Sequence, residues 1–124
     1  MKKTGDRGEQ IAVEYLRSKG YAILERNWRG TKEFKSPEID IIVSIDNTVV
    51  IVEVKTVSTT RFGQPQEWIT NQKRRRLIDG ARAYQAIRQL ADTSFRFDAV
   101  LVDISVQPPS ISHIVNAFTL SDTL

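Results

Sequence analysis

The sequence predicts an α/β domain, a mixed sheet with helices packed on it. Three observations carry that expectation. Two β-branched runs, Ile39 to Ile45 and Thr48 to Lys55, flank the polar pair Asp46-Asn47, the pattern of a β-hairpin. Two segments with apolar residues at helical spacing stand at either side of the strand-rich stretch. The resulting element order, α-β-β-β-α-β-β, mixes helices and strands within one short chain.

Each element has its own signal. Ala12, Tyr15 and Leu16 recur at helical spacing over Gly5 to Ser18, and Gly20 supplies the stop. Tyr21 to Arg26 reads as a short strand. Asn27 to Pro37 is polar, contains Gly30, Ser36 and Pro37, and reads as a loop. After the hairpin, residues 56–66 form a loop with Phe62-Gly63 as a tight turn and Pro65 near its end. A helix is expected from Thr70 to Leu90, a strand from Phe95 to Ile104, a turn at Pro108-Pro109, and a last strand from Ile111 to Phe118.

The 124 residues fit one domain spanning 1–124. Hydrophobic residues make up 40% and charged residues 27%, which excludes a disordered tail, collagen and a coiled coil. No run approaches 18 apolar residues, so no transmembrane helix is expected. The start, Met1-Lys2-Lys3-Thr4-Gly5, has no apolar signal-peptide core. The absence of cysteine excludes disulfide frameworks and thiolate zinc sites and suits a cytoplasmic location. With one histidine, His113, any metal must sit on carboxylates, which points to Mg²⁺ or Mn²⁺. No Gly-rich phosphate loop, nucleophile elbow or Cys/His pair is present. Residues 61–88 hold seven basic residues against two acidic ones, a local excess that attracts a polyanion.

Three placements of charge need more than a solvated surface to explain them. If Asp46 and Asn47 form a two-residue turn, Ile45 pairs with Thr48, Asp40 faces Glu53 and Glu38 faces Lys55. Strand alternation then puts all four side chains on one face. Opposed like charges among Ile42, Val49 and Ile51 destabilise a sheet unless a cation or a shared proton joins them. A divalent metal on Asp40 and Glu53 fits, with Lys55 in reach of the same point. Glu9 is the second placement: it lies about 20° from Leu16 around its helix, inside the apolar stripe. The third is Lys73, about 40° from Leu77, which turns it toward the sheet while Arg74, Arg75 and Arg76 face solvent or a phosphate backbone. His113, between Ile111 and Val115, reads as structural, and Trp28 and Trp68 read as loop anchors.

Acid, then Glu-Val-Lys at the end of the next strand, resembles the PD-(D/E)XK nuclease superfamily, the restriction-endonuclease-like fold. The residues are Pro37-Glu38-Ile39-Asp40 and Glu53-Val54-Lys55. Nearly the whole chain resembles the YraN-like uncharacterised protein family (uncharacterised protein family 0102). The matching pieces are Gly5-Asp6-Arg7-Gly8-Glu9, Gly20-Tyr21, Arg26-Asn27-Trp28-Arg29, Glu38-Ile39-Asp40, Val52-Glu53-Val54-Lys55, Phe62-Gly63, Lys73-Arg74-Arg75-Arg76-Leu77 and Arg96-Phe97-Asp98. That family is similar to archaeal Holliday-junction resolvases, which place a glutamate of the first helix beside the hairpin acids, here Glu9. Pro37, where the family has glycine, and Val57, where it has arginine, depart from the pattern.

The resemblance implies a Mg²⁺- or Mn²⁺-dependent endonuclease acting on DNA, with branched DNA of repair or recombination as the substrate class. Asp40, Glu53 and Glu9 would hold the metal, and Lys55 would serve the attacking water. Lys73, Arg74, Arg75 and Arg76 would contact nucleic acid. A homodimer suits a two-fold junction, which needs two sites. A binding module that keeps the fold without cutting is the alternative, and a scaffold docking a protein partner through an exposed strand is a third.

Overall fold

The computed structural model describes residues 4–58 and 65–120. Helix α1, Thr4–Ser18, opens the chain. Three strands follow, β1 Ala22–Gly30, β2 Lys35–Ile45 and β3 Thr48–Val57. Then come the short helix α2 Pro65–Trp68, the long helix α3 Asn71–Ile87, and strands β4 Ser94–Asp103 and β5 Ser110–Phe118. The described strands form a five-stranded sheet in the order β1-β2-β3-β4-β5. Only β3 and β4 run parallel, because α3 carries the chain across the sheet between them. This is the mixed α/β architecture of the restriction-endonuclease-like class that the residue pattern implied.

The hairpin forms at Asp46-Asn47 with Ile45 opposite Thr48. Both turn residues have positive φ, 46° and 59°, as a two-residue turn matching strand twist requires. Thr70 caps α3, its hydroxyl accepting from the Lys73 amide. Gln89, at a φ of 56°, lies just past the helix end.

The sheet separates two apolar layers. On one face Ala12, Val13 and Leu16 of α1 are fully buried against Ile41, Val43, Val50, Val52, Val100 and Val102. On the other, Leu77, Ile78, Ala81 and Tyr84 of α3 pack on Ile39, Ile42, Val49, Ile51, Phe97 and Phe118. Both helices press close through a glycine. A β-carbon on Gly8 would lie 1.7 Å from the Thr56 hydroxyl, and one on Gly80 would lie 2.6 Å from Ile39 Cδ1.

Two expectations need correction. The stretch 27–37 is not a loop: β1 continues to Gly30, β2 begins at Lys35, and only residues 31–34 turn between them. Polar composition concealed this because β1 is a sheet edge, where exposed polar residues alternate with a few buried ones such as Trp28. Trp28 accordingly packs edge-on to Tyr84, at 5.2 Å between ring centroids, as part of the core. The helix expected to reach Leu90 ends at Ile87. Phe62-Gly63 lies outside the described residues.

Candidate metal and nucleic-acid site

The ladder between β2 and β3 ends at Ile41 opposite Val52. Just beyond it β2 changes the way its side chains face. Ile41 packs on the α1 side, but Ile39 packs on the α3 side with Ile42, which strict alternation forbids. Asp40 sits at this slip. Its Oδ2 accepts the Val54 amide at 2.9 Å, so a side chain supplies the acceptor that the ended ladder no longer does. Asp40 and Glu53 thus meet on the α3 side, although they are not the paired ladder positions that an unbroken hairpin would give.

Glu53 is 7% exposed and lies close enough to Asp40 for its charge to act on it. Burial first, then the neighbouring Glu53 charge, push the Asp40 acid up to about 7, against the opposing pull of the Val54 amide. The pair opens into a cleft of about 200 Å³ lined by Glu38, Asp40, Glu53, Lys73, Arg76 and Leu77. Lys73, from the first turn of α3, reaches in and pairs with Glu53 Oε2. Arg76, one turn further on, is exposed at the rim.

The other expected site residues are placed differently. Glu9 is half-buried on α1, where Asn27 donates to its Oε1 at 2.9 Å. Burial raises its acid most; the Asn27 hydrogen bond and the Arg26 charge pull it back, and the Asp6 and Glu38 charges add to the rise. It lies near enough to add its charge to the rise at Asp40, yet no group of three acidic or histidine side chains converges as a ready metal cage among the described residues. Glu38 turns to Arg29, its Oε1 accepting from both Nε and Nη2 at 3.1–3.2 Å, instead of facing Lys55. Lys55 is exposed on β3 and is not part of the cleft lining. Arg75 is exposed. Arg74 departs from the expected solvent-facing run: it is half-buried, donates to the Ile69 carbonyl and lies over the Phe118 ring, 5.6 Å from its centroid. Arg74 faces inward because position 74 lies only about 20° around the helix from the buried Ala81 and about 60° from Leu77.

The donor set suits a hard divalent cation. Two convergent carboxylates with open solvent beside them match the ligation of Mg²⁺, which takes one or two carboxylates and keeps several waters. Two buried acids side by side, one of them already paired with an ammonium, have the electrostatics of a cation site.

Sequence reasoning did not foresee a second polar cluster on the opposite face. Asp98, 1% exposed, accepts from Arg96 through both oxygens at 2.8–2.9 Å, from His113 Nε2 at 2.7 Å and from the Asn116 amide at 3.1 Å. His113 Nδ1 meets the Tyr15 hydroxyl at 3.1 Å, and Arg96 Nη2 donates to the Tyr21 hydroxyl at 2.7 Å. The signal available was Arg96 and Asp98 two residues apart on a strand, which places opposite charges on one face. His113 holds the structural place expected of it.

A model of the uncharacterised protein family UPF0102 matches residues 8–102. The chain is 41% identical over 117 residues to the UPF0102 protein of Clostridioides difficile (strain 630), covering 94% of this chain and 97% of that one. It is 44% identical over 116 residues to a UPF0102 protein of Persephonella marina, covering 94% and 93%. A UPF0102 protein of Geobacter metallireducens is 40% identical over 120 residues, covering 97% of this chain and 95% of its own. No described helix is long and apolar enough to cross a membrane. Matched along nearly its whole length by relatives of about its own size, the chain belongs to the uncharacterised protein family UPF0102.

Proposed function

We propose that the protein is a Mg²⁺- or Mn²⁺-dependent endonuclease acting on DNA phosphodiesters, with branched DNA of repair or recombination as its substrate class. The observation that carries this reading is the buried Asp40–Glu53 carboxylate pair in an open cleft with cationic residues at its edge. A stable sheet gains nothing from two opposed acids there.

Asp40 and Glu53 would hold the metal, with Glu9 adding charge from the α1 side. When bound, a hard divalent cation polarises a phosphoryl oxygen and lowers the pKa of a coordinated water. The chain's own residues do the rest. Arg76 and Arg75 hold the phosphate backbone, which gives affinity without sequence readout. Lys55, on the exposed end of β3, is long enough to swing toward a phosphate seated over the pair. There it stabilises the charge that develops on the phosphorus oxygens more than the charge of the ground state.

The test is single-turnover cleavage with Mg²⁺ or Mn²⁺ on branched, flapped, single-stranded and duplex DNA. Lys55→Ala should slow cleavage by about 10²–10³-fold, the scale of losing one well-placed electrostatic contact, while affinity measured in Ca²⁺ stays nearly constant. Cleavage by Lys55→Ala at the wild-type rate would remove that role from Lys55. Binding without cutting across the panel would make the protein a nucleic-acid-binding module.

A further inference from the structure

The cleft already contains a cation, and it belongs to the chain. Lys73 rises from the first turn of α3, and its ammonium pairs with Glu53 while the rest of the side chain stays partly exposed. Lys55, the lysine of the strand motif, lies outside the cleft lining. The ammonium takes Oε2 of a carboxylate that a divalent ion would need. A monovalent group and a divalent ion cannot share that oxygen at contact distance without strong repulsion. Lys73 can leave easily, since its four-carbon stem is flexible and half in water.

We propose that Lys73 is an exchangeable internal counter-ion that competes with the divalent cation for Glu53, so that loading the site means swinging Lys73 out of it. This rests on the reading of Asp40 and Glu53 as a cation site. Lys73 is here a positioning residue: it keeps Glu53 neutralised and fixed when the site is bare. Released, it stands beside Arg75 and Arg76 with its charge turned toward the same solvent face.

Arg82 is the control. It is exposed and lies further along the same helix, so removing it deletes an equal charge without touching the cleft lining. Binding of Mn²⁺ alone, followed by loss of the free-ion EPR signal, tests the proposal without reference to cleavage. Lys73→Met, which keeps the apolar stem, should bind Mn²⁺ about tenfold tighter than wild type, the equivalent of one charge-assisted contact no longer given up. Arg82→Met should stay within about twofold of wild type. Circular dichroism would check folding, and Lys73→Gln takes the place of Lys73→Met if the latter does not fold. Equal or weaker binding in the Lys73 variant overturns the exchange and leaves the cation site standing. No Mn²⁺ binding by wild type or variant overturns both.

Discussion

Two buried aspartates sit on opposite faces of the same sheet and have opposite fates. Asp98, beneath α1, is surrounded by donors. Arg96, His113 and the Asn116 amide all point at it. Burial favours its neutral form, but the His113 and Arg96 hydrogen bonds outweigh burial and hold the acid below its ordinary value. Asp40, beneath α3, has one amide donor and one like-charged neighbour, and its acid rises to about 7. Depth alone therefore does not tell a structural carboxylate from a reactive one. The partner set separates them: Asp98 is saturated with donors, whereas Asp40 faces another acid, and on the proposed reading it is the one open to a ligand.

The strongest way to break this contrast is to remove Asp98. Asp98→Ala leaves Arg96 and His113 without their shared acceptor and should cost about 3–5 kcal/mol in urea unfolding, the usual loss when one partner of a buried pair is deleted. A loss below about 1 kcal/mol would mean the cluster is no more than a surface ion pair.

Asp40→Asn should act in the other direction. Asparagine can still accept the Val54 amide and can donate to Glu53, but it has no proton to lose. The raised acid of Asp40 makes its ionised form unfavourable in the folded state. The cost is absent below the unfolded value near 4, grows as pH rises, and is complete once pH exceeds about 7. Wild type should therefore gain roughly 2–3 kcal/mol from this site between pH 8 and pH 5, and Asp40→Asn should lack that gain. At pH 8 the variant should unfold at higher urea than wild type. Adding Mn²⁺ should narrow the difference by stabilising wild type alone. Asp98 has the opposite sign: its contribution is present above the unfolded value and is lost as pH falls through its depressed folded value. If both variants shift with pH in the same sense, the contrast between the two sites is wrong.

The smallest effects concern the arginines of α3. Arg75→Ala and Arg76→Ala should each flatten the dependence of log affinity on log salt by about 0.9 on duplex DNA. Arg74→Ala should leave that slope almost unchanged and lower the melting temperature, since its guanidinium is engaged with Ile69 and Phe118. A slope change at Arg74 equal to that at Arg76 would show that the inward placement does not persist in the complex.

The hairpin was legible because its register is a local property. Two residues of turn fix every pairing that follows, and the pairings through Ile41 and Val52 agree with it. What the residues could not show is where the ladder stops. Extending the register would bring Asp40 to Glu53 as a ladder pair; they meet instead through a slip in β2 and an amide capture by a carboxylate. The same limit governs Lys73. Helical angle placed it toward the sheet, but its contact with Glu53 depends on how α3 lies across β3, a tertiary fact. The Asp98 cluster was hidden for a further reason: it draws Tyr15, Tyr21, Arg96 and His113 from four separate segments. Periodicity within one segment carries no trace of that.

The glycine contacts set a tolerance that a mutational screen would register in a misleading way. A β-carbon on Gly80 would meet Ile39 at both Cδ1, 2.6 Å, and Cγ1, 2.9 Å, and Ile39 is fully buried. A β-carbon on Gly8 would meet Thr56 at its hydroxyl, Cβ and methyl together, and that β-branched side chain is stiff about its first torsion. An alanine at position 8 would have to lift the start of α1 off β3. Glu9 is the next residue on that helix, and Thr56 lies three residues beyond Glu53 on that strand. Gly8→Ala would thus disturb the seat of Glu9, and Gly80→Ala would press on Ile39 beside Asp40, so each would disturb the cleft while touching neither of its two carboxylates.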